Sequence, residues 1–63
     1  MTEAEAKKKA EEIVFVDYTA PDIIWACEER GIQTRTKSGT FRSRSVLEAA
    51  LIRAMTNEFM ENQ

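Results

Sequence analysis

Apolar residues recur at helical spacing in three segments of the chain, and polar or turn-forming residues separate these segments. An apolar residue at every third or fourth position is typical of an amphipathic helix that buries one face. The apolar positions are Ala6, Ala10, Ile13 and Val14 in the first segment, Ile23, Ala26 and Cys27 in the second, and Leu47, Ala50, Leu51, Ala54 and Met55 in the third. The pattern therefore predicts three helices and an all-α fold.

Residues that favour helix ends flank these segments. Thr2–Glu5 and Ser45–Glu48 both have the form of a capping box, in which a hydroxyl residue precedes a glutamate by three positions. Thr19 can cap the second helix. Gly31 can end that helix, because glycine adopts the left-handed conformation without penalty, and Ile32 can then fold back onto the helix end.

The run Ile13–Val16 is the ambiguous part of the pattern. Its β-branched and aromatic residues favour a strand, but four consecutive apolar residues have no period that separates strand from helix. We expect the first helix to end near this run and an extended link to lead to Tyr18. The chain is then a single domain with an N-terminal helix and link (residues 1–17) and a helical module (residues 18–63).

Length and composition limit how this fold can be stabilised. A chain of 63 residues buries a small core, so helix packing, a metal, disulfides or a partner must supplement it. The single cysteine excludes an internal disulfide, and the absence of histidine removes the commonest zinc ligand, so no cofactor or metal is expected. The remaining ways to stabilise the fold are helix packing in a monomer and association as a homodimer.

The sequence predicts a cytoplasmic location. No apolar run approaches the roughly 18 residues of a membrane span. The N-terminus lacks the basic and then apolar layout of a secretory signal, and a lone thiol is compatible with a reducing compartment.

Positive charge is concentrated in one part of the chain. The formal net charge is −2, yet residues 30–44 hold five of the nine basic residues, both glycines and no acidic residue. This segment, here called the basic loop, follows the second predicted helix and has the turn-forming tip Lys37–Thr40. Arginine and lysine supply most of the non-specific affinity for phosphates, so the loop predicts contact with nucleic acid. The alternative is that it offsets an acidic body through solvated ion pairs.

Two kinds of residue in the basic loop can contact a nucleic-acid backbone. Charge would come from Arg35, Lys37, Arg42 and Arg44, and main-chain or hydroxyl contacts from Ser38, Gly39 and Ser43. A serine at the start of the third helix, flanked by arginines, suits a phosphate because free N–H groups and the helix dipole attract anions there.

Three further side chains have two interpretations each. Phe41 can stack on a base or fill the gap between helices, and we favour the second. Trp25 lies nearly opposite the predicted buried face, so either the first helix covers it, which we favour, or it is an exposed anchor for a partner. Cys27 has no histidine to activate it and is expected to be a buried structural residue rather than a reactive thiol.

The segment Tyr18–Ile32 resembles the first half of the SAP and helix-extended-loop-helix families: an aromatic residue, a capping threonine, a short helix and then Glu-Arg-Gly with an apolar residue. Lys37–Gly39 and Leu47–Met55 are similar to the polar loop and second helix of these families. The resemblance implies helix-extended-loop-helix topology and binding of DNA or RNA, whereas the related LEM domains bind a protein. It places the contacts at Lys37, Ser38, Gly39, Arg42 and Arg44.

A second and weaker resemblance concerns the end of the basic loop and the helix that follows it. The segment Phe41–Leu51 is similar to the second helix of ribbon-helix-helix repressors. That family implies a DNA-binding dimer with a strand before its first helix, which Ile13–Val16 would have to supply. The apolar run does not alternate as such a strand should.

These observations predict a small three-helix domain of helix-extended-loop-helix topology that binds nucleic acid, DNA rather than RNA, without catalysis. The chain has no histidine, no glycine-rich phosphate loop and no cysteine pair, so no enzymatic activity is expected. Two alternatives stay open. One is a protein-interaction module or inhibitor that uses Trp25 and the acidic first helix, and the other is a dimeric ribbon-helix-helix repressor.

Overall fold

Three α-helices make up the protein, in a computed structural model that describes all 63 residues. They are α1 (Glu3–Glu12), α2 (Ala20–Glu29) and α3 (Arg44–Glu61). No strand is present, and the only β-type pairing is an isolated antiparallel bridge between Arg35 and Phe41. The predicted all-α, three-helix domain is confirmed. None of the helices has the length and apolar character required to cross a membrane.

The prediction of an extended link after the first helix is wrong. Ile13–Asp17 forms a π-helical turn that continues α1, and the N–H of Tyr18 closes it by donating to the carbonyl of Ile13 at 3.1 Å. This turn carries Val14 into the core one helical turn after Ala10, and both side chains are fully buried. Burial on the helical face therefore outweighs the β-propensity of the run. The strand that a ribbon-helix-helix protein would need at this position is absent.

The core lies on α3, against which both α1 and α2 pack. Its nine buried residues come from all three helices and the π-helical turn: Ala10, Val14, Ile23, Ala26, Cys27, Leu47, Leu51, Ile52 and Met55. The fully buried residues of α1 are two alanines, Ala6 and Ala10. Because alanine side chains are small, they let the α1 backbone approach its neighbour closely, and docking on α3 compensates for the low intrinsic stability of so short a helix.

The first two helices begin as the sequence predicts. The N–H of Glu5 donates to Thr2 Oγ1 at 3.2 Å and the N–H of Thr2 donates to Glu5 Oε1 at 2.9 Å, which completes the capping box of α1. At the start of α2, the backbone N–H and the hydroxyl of Thr19 donate to Asp22 Oδ2 at 3.0 and 2.9 Å. These bonds fix where the helices start.

The third helix begins two residues earlier than its predicted capping box. Its N-cap is Ser43, whose Oγ accepts from the N–H of Val46 at 3.4 Å, so the assignment of Ser45 as the cap is wrong. Glu48, the expected carboxylate of that box, instead accepts from Arg44 Nε at 3.2 Å. An arginine in the first turn offers this carboxylate a charged donor, which is a stronger partner than a backbone N–H.

The end of α2 is a Schellman motif. Gly31 has a φ of 73°, its N–H donates to the carbonyl of Glu28 at 3.1 Å, and the N–H of Ile32 donates to that of Cys27 at 2.9 Å. Ile32 is half-buried and packs against the core. The predicted roles of Gly31 and Ile32 as helix stop and anchor are confirmed.

A bidentate ion pair then joins α2 to α3. Arg30 Nε lies 2.7 Å from Glu58 Oε2 and Arg30 Nη2 lies 3.1 Å from Oε1, while Nη1 donates to the carbonyl of Ala26 at 3.0 Å. The hydrogen bond to Glu58 raises the pKa of Arg30. Arg30 is therefore a structural residue, and the other four cations of the basic loop are the ones available to a ligand.

Candidate nucleic-acid interface

The basic loop leaves α2 and returns to α3 as a short hairpin-like turn. The N–H of Arg42 donates to the carbonyl of Thr34 at 2.8 Å, and the isolated bridge pairs Arg35 with Phe41. At the tip, the N–H of Thr36 donates to the carbonyl of Thr40 at 2.8 Å. The predicted turn at Lys37–Thr40 is confirmed, and backbone hydrogen bonds join the two sides of the loop.

Hydroxyl and glycine residues shape the tip of this turn. Gly39 has a φ of 89°, a conformation in which a side chain would be strained, and its N–H donates to the carbonyl of Thr36 at 3.0 Å. The Thr36 hydroxyl lies 2.9 Å from those of both Ser38 and Thr40. Ser38 and Gly39 therefore determine the local conformation, and their exposed atoms remain at the surface.

The side chains of Arg35 and Phe41 stack on each other across the hairpin. The guanidinium carbon of Arg35 lies 4.0 Å from the centroid of the Phe41 ring, and Arg35 Nη1 donates to the carbonyl of Gly39 at 2.7 Å. Phe41 is 47% exposed, so the prediction that it fills the gap between the helices is wrong. The apolar loop residue that packs against the core is Ile32. Phe41 instead supports a planar cation at the surface.

Arg42 and Arg44 are held at the other end of the loop. Arg42 is half-buried, and its Nη1 donates to the carbonyl of Gln33 at 3.0 Å. Arg44 uses Nε for Glu48 and Nη2 for the carbonyl of Tyr18 at 3.5 Å. A guanidinium group has five N–H donors, so each arginine is oriented by the protein and keeps donors for a ligand.

The α3 helix presents its N-terminus beside these arginines. The N–H groups of Val46 and Leu47 are satisfied by the side chain and carbonyl of Ser43. Those of Arg44 and Ser45 donate to no other atom of the protein. Unpaired N–H groups at the start of an 18-residue helix attract anions, because the helix dipole is positive there.

The seven predicted contact residues all lie in this loop, and none of them is buried. They form two groups. Arg35, Lys37, Ser38 and Gly39 lie in the turn, and Arg42, Ser43 and Arg44 lie at the start of α3. Lys37 makes no hydrogen bond or ion pair. The Arg35–Phe41 stack was not predicted, although a hairpin with its tip at residues 36–40 pairs positions 35 and 41.

Trp25 is 67% exposed, so the prediction that α1 covers it is wrong. The α1 helix packs on α3 rather than on α2, and α2 buries the opposite face, which carries Ile23, Ala26 and Cys27. The alternative expectation, an exposed Trp25, is the one that the structure agrees with.

The single cysteine is a core residue, as the sequence predicts. Cys27 is fully buried, and its Sγ lies 3.8 Å from the carbonyl oxygen of Leu47, to which it donates. Burial raises the pKa of this thiol, which keeps it protonated. No three His, Cys, Asp or Glu side chains converge in a geometry that could hold a metal ion.

Comparison with known proteins gives no match to a protein-family model, to a curated protein or to a solved structure. The resemblance of Tyr18–Ile32 to the SAP and helix-extended-loop-helix families therefore stays a prediction.

Proposed function

We propose that this protein is a non-catalytic nucleic-acid-binding module whose ligand contacts the basic loop and the N-terminus of α3. The resemblance to SAP domains implies DNA or RNA, and we favour DNA as the ligand. The observation that carries the proposal is the Arg35–Phe41 stack, an exposed aromatic ring and an oriented cation in a loop that has no acidic residue.

The positions of the cations support binding over simple charge compensation. If the loop only offset the acidic body, its cations would pair with carboxylates of the helices. Only Arg30 and Arg44 make such pairs, so Arg35, Lys37 and Arg42 contact no carboxylate. These three cations have no carboxylate partner within the fold, and the phosphates of a nucleic acid would supply one.

Two kinds of contact are then available to a single nucleic-acid strand. Phosphates would accept from the free N–H groups at the start of α3 and from Arg42 and Arg44 beside them. A base or sugar would lie against the Phe41 ring or the outer face of Arg35, because aromatic rings and guanidinium planes both stack on bases.

The test compares two lysine variants that change the net charge equally. Lys37→Glu removes the free cation at the tip of the loop, and Lys8→Glu removes an exposed cation on α1; each takes the formal charge from −2 to −4, a change of two units. Binding is measured by fluorescence anisotropy with a labelled DNA duplex, its single strand and the matching RNA at low salt.

Lys37→Glu is expected to weaken binding by about fivefold to tenfold and to reduce the salt slope by about one, since one phosphate contact is lost. Lys8→Glu should change affinity by about twofold or less, because it acts only through long-range repulsion that salt screens. Equal losses in the two variants, or no binding by the unmodified protein to any of the three probes, would refute the proposed function.

A further inference from the structure

The outward face of α2 has an unusual composition for the surface of so small a protein. Trp25 stands at its centre, exposed and opposite the face that enters the core. Tryptophan has the largest side chain, and this indole is two-thirds exposed and lies outside the hydrophobic core. A partner that covers it would gain that burial, which is why tryptophan is enriched at the centres of interfaces.

Carboxylates surround this indole. Asp22, Glu28 and Glu29 stand three or four residues from Trp25 on the helix, so they border it on the same face, and all are exposed. None pairs with a cation, because the two ion pairs of the protein use Glu48 and Glu58. The hydrogen bonds from Thr19 lower the pKa of Asp22 and keep it ionised.

The chain that precedes this group is also acidic, whereas the basic loop follows it. Between Ala10 and Glu29 the chain has six acidic residues and no basic one: Glu11, Glu12, Asp17, Asp22, Glu28 and Glu29. The C-terminus of α2, with the negative end of its dipole, lies next to Glu28 and Glu29. This face would repel a nucleic-acid backbone, so it is unsuited to the ligand of the basic loop.

We infer that the Trp25 face of α2 is a docking site for an arginine- or lysine-rich segment of a partner protein. An arginine of such a segment would stack on the indole, where a cation is attracted by the ring, and its N–H groups would reach the flanking carboxylates. Neighbouring basic residues would be attracted by Asp22, Glu28 and Glu29.

The site is distinct in position and in charge from the basic loop. A basic peptide meets repulsion from Arg35, Lys37 and Arg42 and attraction from α2, whereas a phosphate backbone meets the reverse. A failure of the peptide to bind α2 therefore leaves the proposed nucleic-acid function untouched, and the two are measured with different probes.

A labelled hexa-arginine peptide is the probe, with hexa-glutamate as its counterpart. Trp25 is the only tryptophan, so its emission reports directly on the site. Hexa-arginine is expected to change Trp25 emission with saturation, and hexa-glutamate is expected to leave it unchanged. No change with hexa-arginine up to high peptide concentration would overturn the inference.

Variants separate a specific site from general attraction to an acidic protein. Anisotropy of labelled hexa-arginine is measured with Trp25→Ala and with the double variant Glu28→Gln/Glu29→Gln. Each is expected to weaken binding by about fivefold or more. The matched control is Glu11→Gln/Glu12→Gln on α1, which makes the same change of formal charge, from −2 to 0, and should alter affinity by about twofold or less. Circular dichroism checks that each variant keeps its helices.

Equal weakening by the two double variants would mean that only net charge matters and would overturn the inference, as would full affinity in Trp25→Ala. A second copy of this chain is the other basic partner to consider, since its own loop carries the required charge. Concentration-dependent association of the protein alone, seen by sedimentation and abolished by Trp25→Ala, would assign the face to self-association and also contradict the inference.

Discussion

Individual side chains of the basic loop have different roles despite their common charge. Arg30 closes α2 onto α3 through Glu58, and Arg44 pairs with Glu48 within α3. Arg35 is stacked on Phe41, and Lys37 has no partner. The sequence treats these residues as equivalent charges, whereas their contacts make Arg30 structural and leave Arg35, Lys37 and Arg44 with donors for a ligand.

The two ion pairs provide a test at the scale of residues. Double-mutant cycles with Arg30→Met and Glu58→Gln should give a coupling free energy of about 1 kcal/mol, because the pair is bidentate, half-buried and joins two helices. The cycle for Arg44→Met and Glu48→Gln should give about 0.3–0.5 kcal/mol, the usual range for a pair four residues apart on one helix.

Urea unfolding followed by circular dichroism supplies the free energies for both cycles. The second pair is the comparison, because it is a single arginine–glutamate contact within one helix and the first is a bidentate contact between two helices. Equal coupling in the two cycles would contradict the structural role given to Arg30.

Hydrogen bonds to a carboxylate fix the N-terminal ends of α1 and α2. Thr2 donates to Glu5 and Thr19 donates to Asp22, and these bonds lower the pKa of both carboxyl groups below their ordinary values. A lowered pKa in the folded state means that the charged form stabilises the fold. This contribution is complete above the ordinary carboxyl range and is lost as the pH falls through the folded values.

The unfolding free energy should therefore decrease as the pH is lowered from about 5 to about 3. Asp22→Asn and Glu5→Gln should each make this decrease shallower, since each removes one group whose protonation differs between the folded and unfolded states. Glu12→Gln removes an exposed carboxylate that accepts no hydrogen bond and is the matched control. Identical pH profiles for all three variants would show that the caps do not act in this way.

The sequence predicts the helices that are defined by local periodicity and by caps. It does not predict the structure of a segment that depends on packing against a neighbouring element. The stripes of Ala6 and Ala10 in α1 and of Leu47 and Leu51 in α3 determine which face is buried, so three helices are predictable. The run Ile13–Val16 has no period of its own. Its helical state follows from the position that the core offers to Val14, which only the packed structure reveals.

The positions of the candidate site residues follow from the sequence only in part. Charge and turn chemistry predict the seven loop residues, and these features are local. The exposures of Phe41 and Trp25 depend on which helices pack together, and α1 can be placed on either of the other two from sequence alone. Because α1 packs on α3, Trp25 is left uncovered, and with Ile32 anchoring the loop, Phe41 stays at the surface.

At the scale of the whole molecule, α3 is the scaffold on which α1 and α2 both pack. It begins at the basic loop and supports α1 and α2 along its length, and the molecule measures 39 × 21 × 15 Å. Under the proposed function, a phosphate backbone would be attracted to the loop and repelled by Asp22, Glu28 and Glu29 of α2, which would restrict how a nucleic acid approaches. The small net charge is thus the sum of a basic loop and an acidic remainder of the chain.

The most direct test of the proposed function maps the bound surface itself. Amide chemical shifts of the nitrogen-15-labelled protein are followed by NMR during titration with single-stranded and duplex DNA at low salt. If the basic loop binds DNA, the largest shift changes fall on residues 34–46, including the amides of Gly39, Arg44 and Ser45. The chemical shift of the Trp25 indole N–H is expected to stay unchanged. Changes centred on α1 or on the Trp25 face, or no changes with either DNA, would contradict the proposed function.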